Sequence, residues 1–138
     1  IGIGIAQLDL MPGAGGIVDD ALDDYRYAEE TQSRLLLSVR DGAIQRFEVA
    51  MDLTRQLVIR VLKEKYAMDE ASAKKGWIRE AAKLGMIADA EAWFGFLAAR
   101  DRSSHTYDSA IAQQVFAQIG LFLSNARDLL QKLPAHVA

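Results

Sequence analysis

The sequence predicts one all-α domain, an antiparallel up-and-down helical bundle of four main helices and one shorter helix. The length of 138 residues suffices for one domain and is short for two. Hydrophobic residues make up 51% and charged residues 25% of the chain, which is the balance of a globular protein. Its two prolines, Pro12 and Pro134, leave residues 13–133 without the residue that most strongly interrupts helices.

The first two helices are predicted on either side of a short connection. Residues 1–18 are glycine-rich and are expected to form a flexible tail. The first helix is expected over residues 19–37 and the second over 41–66, where apolar residues recur three and four positions apart. The apolar contacts of the first helix are expected from Leu22, Tyr25, Leu35 and Leu36. The stripe of the second comprises Ile44, Phe47, Met51, Thr54, Val58, Val61 and Leu62.

The third and fourth helices are predicted from their capping residues. The third helix should follow Ser72 as its N-cap and end near Gly85, because glycine readily adopts the left-handed conformation that ends many helices. The fourth helix should follow Asp89 as its N-cap. Its inward-facing residues are expected to be Trp93, Phe94 and Leu97.

The fifth helix is predicted to begin near Asp108. Its apolar stripe comprises Ile111, Val115, Ile119, Phe122, Leu123, Ala126, Leu130 and Leu133. Because the connections are short, neighbouring helices should run antiparallel. The bundle is therefore expected over residues 19–133, followed by a C-terminal tail over residues 134–138.

Charge is distributed unevenly along the chain. With 19 acidic and 16 basic residues, the net charge is −3, which excludes a uniformly basic nucleic-acid-binding protein. Residues 1–30 hold seven acids and one base, a net −6, so the remainder carries +3. The acidic start is explained by a solvated helix N-terminus, with an acidic docking surface as the alternative.

The chain lacks the residue patterns of disulfide scaffolds, metal sites, dinucleotide cofactors and membrane segments. It has no cysteine and two histidines, so a disulfide scaffold is excluded and no metal site is expected. Its two glycine-rich fragments lack the third glycine of a dinucleotide fingerprint and follow no predicted strand, so we expect no cofactor. No apolar run approaches the roughly 18 residues of a membrane span, and the first residues lack a basic signal-peptide region. We therefore expect a cytoplasmic protein that does not enter the membrane.

The segment over residues 100–108 joins the fourth and fifth helices and holds the most reactive side chains. Arginine presents a fork of donors that matches phosphate oxygens, and histidine can move the proton of a ribose hydroxyl without a metal. Arg100 and His105 together therefore suit phosphodiester chemistry. The structural alternative is that His105 and Tyr107 cap and pack at the junction, with Arg100 paired to Asp101 or Asp108.

The spacing of Arg100, His105 and Tyr107 matches the Arg-x4-His-x-Tyr motif, and the sequence resembles HEPN domains. The segment over residues 40–48 resembles the start of the long helix in HEPN proteins of the nucleotidyltransferase substrate-binding type. The segment over residues 78–87, followed by Trp93, is similar to their next segment. These motifs stand in the family's order, and the resemblance covers about residues 19–133.

The resemblance implies a HEPN-like bundle that forms a homodimer, with the motif arginine and histidine of both copies lining a shared cleft. It also implies a minimal nucleotidyltransferase as partner. In one interpretation the protein is a ribonuclease toxin and the nucleotidyltransferase is its antitoxin. In the other, it is the non-catalytic substrate-binding subunit of a two-component nucleotidyltransferase. RNA or a nucleotide is the ligand implied by either.

The resemblance also assigns roles to individual residues. Arg100 would stabilise the phosphate, His105 would be the acid–base residue, and Tyr107 would be the target of AMP attachment. Asp101 stands where the family usually has asparagine, and it could orient Arg100 or His105 or repel RNA phosphates. The expected additional contacts to RNA or nucleotide are made by Arg102 and Ser104.

A second departure from the family pattern lies in the long helix. The chain has Arg55 and Gln56 where the family often has Trp-Lys. Any pocket or partner contact that depends on the Trp-Lys pair is therefore not expected here.

Overall fold

The computed structural model describes residues 15–69 and 73–138, with side chains from residue 20 onward. Most of these residues are helical and none of them is in a β-strand, and the predicted all-α bundle is confirmed. A 3₁₀ turn over Ser103–His105 connects the third and fourth helices. In chain order the helices are α1 Gly15–Tyr66, α2 Gly76–Lys83, α3 Ala90–Arg102, α4 Ser109–Lys132 and α5 Pro134–Val137.

The predicted break between the first two helices is absent, because α1 runs without interruption through residues 38–40. These residues include no proline and no glycine, so none of them ends a helix by its own conformational preference. Gly42 lies within the helix, where a glycine costs about 1 kcal/mol relative to alanine without terminating it.

The chain divides into two compact units, one up to Arg40 and one from Asp41 to Ala138. In the first unit, residues 15–18 of the predicted tail are helical, and residues 1–14 lie outside the described residues. The predicted apolar contacts of Tyr25, Leu35 and Leu36 are wrong, because these side chains are exposed. A single helix cannot enclose its own apolar side chains.

An aromatic cluster forms the centre of the second unit. Its five rings are buried and meet edge to face, with centroids 5.1–6.1 Å apart. The cluster comprises Phe47 of α1, Trp77 of α2, Trp93 and Phe96 of α3, and Phe122 of α4. Because Phe96 lies four residues before Arg100, this packing fixes the face of α3 on which Arg100 lies.

Two details of the core differ from the prediction. On α3, Phe96 is fully buried and was not predicted, whereas the predicted Phe94 packs against the core only partly buried, with the cations of Lys75 and Arg79 over its ring at 5.7 and 5.8 Å. On α4, Leu129 is buried, whereas the predicted Leu123 and Leu130 are exposed. The buried residues Val115, Phe122 and Leu129 recur every seven positions, which keeps them on one face of a helix with 3.6 residues per turn.

The N-caps of α3 and α4 are the predicted aspartates. Asp89 accepts a hydrogen bond from the Ala92 amide at 3.2 Å. Asp108 accepts from the amides of Ala110 at 2.9 Å and Ile111 at 3.3 Å. The cap at Asp108 starts α4 directly after the candidate motif, so it fixes where that motif ends.

The boundaries of α2 agree with the prediction at the end of the helix and differ at its start. Gly85 has φ +80° and follows the helix, where its amide and that of Met86 bond to carbonyls of the last turn. Ser72 lies outside the described residues, and the helix begins at Gly76. A turn closed by the Gly76 amide and the Ala73 carbonyl at 3.1 Å precedes it.

The C-terminal residues 134–137, expected as part of a tail, form α5. The His136 Nδ1 atom lies 2.7 Å from the Tyr66 hydroxyl, so α5 is tied to the end of α1. Among the described residues, no helix is both long and apolar enough to cross a membrane.

Candidate functional site

Arg100, at the end of α3, is held by two carboxylates of α1. Its Nε and Nη2 atoms donate to Oδ1 and Oδ2 of Asp52, each at 2.9 Å, in a bidentate pair. Its Nη1 atom donates to Oε2 of Glu48, also at 2.9 Å. Glu48 and Asp52 are four residues apart and therefore lie on the same face of α1.

Ser103 completes this cluster and is the buried polar residue of the described core. Its Oγ atom accepts a hydrogen bond from Arg100 Nη1 at 3.0 Å. Its single hydroxyl proton has two acceptors, Oε2 of Glu48 at 2.9 Å and the Arg100 carbonyl at 2.6 Å. The 3₁₀ turn that begins at Ser103 is thereby attached to both α3 and α1.

The ion pair shifts the pKa values of both partners toward their charged forms. The hydrogen bond from Arg100 is the main reason that the pKa of Asp52 is lowered, and the nearby charges of Arg100 and Arg55 add to it against burial. The hydrogen bond to Asp52 likewise raises the pKa of Arg100. The pair is therefore fully ionised at neutral pH.

The hydrogen bonds of Arg100 leave little of its guanidinium for a ligand. A guanidinium has five N–H groups. Four are used, one by Nε, two by Nη1 and one by Nη2. Arg100 can therefore offer one N–H of Nη2 to a phosphate and cannot present the free bidentate fork that the sequence suggested.

His105 and Tyr107 form a separate exposed pair. His105 Nδ1 lies 3.4 Å from the Tyr107 hydroxyl, and the two rings are nearly perpendicular. The Tyr107 side chain is 86% exposed. Within the described part of the chain, Nε2 of His105 has no hydrogen-bond partner, so this nitrogen can accept a proton from a ligand.

The remaining predicted site residues make other contacts. Asp101 forms an ion pair with Lys74, whose Nζ atom lies 2.8 Å from Oδ2. Ser104 Oγ donates to the Asp101 carbonyl at 3.1 Å. Arg102 Nη1 donates to Oε1 of Gln114 at 3.3 Å.

The pairing of Arg100 with Asp101 or Asp108, considered as a structural alternative, is not observed, because Asp52 and Glu48 hold the guanidinium instead.

A cleft of about 530 Å³ opens beside Arg100. Three of the predicted site residues, Arg100, Asp101 and Ser104, line this cleft together with residues of α1 and of the segment before α2. His105, Arg102 and Tyr107 do not line it. The lining residues are Asp52, Arg55, Lys74, Leu97, Arg100, Asp101 and Ser104. No group of three or more possible metal-ligating side chains occurs among the described residues.

Sequence reasoning missed the two carboxylates that hold Arg100. Glu48 and Asp52 each follow directly after a buried apolar residue, Phe47 and Met51. Two carboxylates four residues apart along the edge of an apolar stripe face the same neighbouring helix, which is the one signal the sequence offers. Their distance of about 50 positions from Arg100 hides the pairing from any local motif.

Comparison with known proteins decides the family. Residues 20–135 match the model of the family described as nucleotidyltransferase substrate binding protein like. The chain belongs to this family. The match includes the cleft, the 3₁₀ turn and the motif from Arg100 to Tyr107, and it confirms the HEPN-type assignment drawn from the motifs.

Two relatives of this substrate-binding family member come from Haemophilus influenzae. One, named "Probable ribonuclease HepT", is 35% identical over 95 residues, which is 67% of this chain and 65% of the relative. The aligned part therefore spans slightly less than two thirds of that relative. The other is a solved structure described as the fold of a substrate binding domain of a nucleotidyltransferase. It has 27% identity and a TM-score of 0.68, covering 96% of this chain and 93% of that one.

Proposed function

We propose that this protein is a HEPN-type toxin of a toxin–antitoxin pair, a metal-independent ribonuclease. It acts as a homodimer in the cytoplasm, with its cleft at the dimer interface, and a minimal nucleotidyltransferase neutralises it. The observation that carries the proposal is the exposed His105, which lies five residues after the cleft-lining Arg100 at the end of the 3₁₀ turn and has a free Nε2. The name of the 35% identical relative supports the same activity.

The proposed reaction is a transesterification within RNA. Nε2 of His105 takes the proton of a ribose 2′-hydroxyl, and the 2′-oxygen attacks the adjacent phosphorus. The 5′-oxygen leaves with a proton from the histidine of the second copy, which gives a 2′,3′-cyclic phosphate and a 5′-hydroxyl. The remaining Nη2–H of Arg100, held in position by Asp52, stabilises the negative charge that develops on the phosphoryl oxygens.

The proposed neutralisation uses Tyr107. At 86% exposure its hydroxyl is accessible to the active site of another enzyme. Attachment of AMP would place a bulky anionic group within hydrogen-bonding distance of His105, since the two side chains are already neighbours. Such a group blocks the histidine and repels the RNA backbone.

The test compares the two histidines of the chain. Purified protein is incubated with RNA in excess chelator, and the termini of the products are identified. Wild type and His136→Ala should cleave and leave cyclic phosphates, because His136 lies on α5 and contacts Tyr66. His105→Ala should lose a factor of about 10²–10⁴ in rate, the usual contribution of general acid–base catalysis. Equal rates for His105→Ala and wild type refute the role of His105.

The second candidate is the non-catalytic substrate-binding subunit of a two-component nucleotidyltransferase. It is favoured by the hydrogen bonds that occupy four of the five N–H groups of Arg100. The descriptions of the family and of the solved structure support it. Under this candidate, the wild-type protein binds a minimal nucleotidyltransferase and a nucleotide but leaves RNA intact in the assay above.

A further inference from the structure

Arg55 is the cation of the cleft that no carboxylate holds. Arg100 is paired with Asp52 and Glu48, and Lys74 is paired with Asp101. Among the described residues, Arg55 forms neither a hydrogen bond nor an ion pair, although its charge helps to lower the pKa of Asp52. Its five N–H donors are therefore available, in contrast to the single one left on Arg100.

We propose that Arg55, assisted by Lys74, forms a phosphate subsite of the cleft. The subsite rests on the proposed function and binds an RNA backbone phosphate next to the one that reacts. A free guanidinium at the wall of a cleft is suited to bidentate binding of phosphate oxygens. Lys74 uses one of its three N–H donors for Asp101, so two remain for the same anion.

The balance of charge around the cleft defines how such a subsite can work. The cleft is lined by three cations, Arg55, Lys74 and Arg100, and by the two carboxylates Asp52 and Asp101. Glu48, which is paired with Arg100, adds a third carboxylate, so the positive and negative charges are equal in number. Because these charges cancel, the cleft as a whole attracts an RNA phosphate only weakly. Binding depends on the unoccupied donors of Arg55, so it should be local and should involve few released counterions.

The position of Arg55 on α1 places it at the wall of the cleft. Arg55 lines the cleft together with Asp52, Lys74 and Arg100. Arg55 lies three residues after Asp52 on α1, which places both on the cleft side of the helix. The rigid helix therefore sets the distance between the subsite and Arg100.

Equilibrium binding tests the subsite without requiring catalysis. A labelled trinucleotide of 2′-O-methyl RNA, which cannot be cleaved, is titrated against wild type, Arg55→Gln and Arg127→Gln by fluorescence anisotropy. Arg127 is the matched control, since it is exposed on α4 and does not line the cleft. Arg55→Gln should weaken binding about tenfold and lower the slope of log K against log salt by about 0.7. Arg127→Gln should bind as wild type does.

Additional titrations and a stability control distinguish an RNA phosphate from a free nucleotide, and a change in affinity from a loss of fold. ATP is titrated in parallel. If Arg55→Gln weakens ATP binding but leaves trinucleotide binding intact, the RNA subsite is wrong and a free nucleotide takes its place. Arg55→Lys, which keeps the charge and loses the fork, should bind with intermediate affinity. Equal thermal unfolding of the three Arg55 proteins shows that a change in affinity is not a loss of fold.

Failure of the subsite and failure of the proposed function give different results. If wild type binds the trinucleotide in an Arg55-dependent way but does not cleave RNA, the ribonuclease proposal fails and the subsite stands. If wild type cleaves RNA and Arg55→Gln binds and cleaves as Arg127→Gln does, the subsite is refuted. If both stand, Arg55→Gln raises KM for RNA more than it lowers kcat.

Discussion

At the scale of single residues, the surroundings of Arg100 determine what its charge can do. A guanidinium held by Asp52, Glu48 and Ser103 cannot move toward a ligand, so the ligand must approach its one free N–H. Such preorganisation avoids the cost of fixing a long side chain during the reaction. It also separates two tasks, because Arg100 provides a fixed charge while Arg55 keeps the donors needed for binding.

The ion pair gives a pH-dependent prediction for stability. Because the pKa of Asp52 is lowered in the folded protein, its stabilising effect is complete above its ordinary pKa of 3.8. The effect is lost as the pH falls below that value, through the lowered folded pKa. Asp52→Asn should therefore reduce the free energy of unfolding by about 1 kcal/mol at pH 7, the upper range for a partly exposed pair.

Urea unfolding at pH 7 and at pH 2 measures this difference. Asp128→Asn is the control, since Asp128 forms an ordinary i,i+4 pair with Lys132 and its loss should cost less than 0.5 kcal/mol. The difference between the wild type and Asp52→Asn should become smaller at pH 2, where the pH lies below the ordinary pKa of Asp52. A difference that persists unchanged at pH 2 would show that Asp52 stabilises the fold by packing and not by charge.

At the scale of helices, two glycines illustrate how backbone conformation decides stability. Gly42 lies inside α1 and Gly85 ends α2 at φ +80°, and in neither case would an added Cβ meet an atom within 4 Å. Gly42→Ala should therefore stabilise the protein by up to about 1 kcal/mol through helix propensity. Gly85→Ala should destabilise it by about 1 kcal/mol, because alanine resists the left-handed conformation.

The two variants control for one another in urea unfolding, because both add the same methyl group. Opposite signs confirm that conformation alone distinguishes the two positions. If Gly85→Ala proves as stable as wild type, the end of α2 adapts without the left-handed residue.

The sequence predicted helices well where the signal was local. The caps at Asp89 and Asp108 and the end at Gly85 each depend on a residue and its own next turn, and all are found. The predicted break at residues 38–40 was wrong, because none of these residues disfavours a helix and α1 continues through them. Phe94 and Phe96 show a further limit, since the sequence does not indicate which of two phenylalanines two positions apart is covered completely by the neighbouring helices.

The candidate site was predicted only in part for the same reason. The motif residues lie close together in sequence and could be found by spacing. Their partners Glu48 and Asp52 lie about 50 positions away and are brought to Arg100 by the packing of α3 against α1. A cleft made from α1, the segment before α2, and α3 has no signature in the linear sequence. That Arg55 and Lys74 line it is therefore known only from the structure.

At the scale of the whole molecule, the proposed homodimer determines how activity responds to mixing. One chain holds one candidate catalytic histidine, His105, whereas the transesterification needs a base and an acid. If the two roles belong to His105 of the two copies, a dimer with one His105→Ala chain lacks half of the pair and is inactive. Activity should then fall as the square of the wild-type fraction when the two proteins are mixed and allowed to exchange.

Sedimentation at micromolar concentration first establishes that wild type and His105→Ala each form dimers. The mixing experiment is then run at constant total protein, with His136→Ala in place of His105→Ala as the control. Because His136 contacts Tyr66 and lies outside the motif, the control mixture should keep full activity at every ratio. A linear decline with His105→Ala would show that each copy works alone. A monomeric wild type would remove the shared cleft, and the single histidine would then have to serve as base and acid in turn.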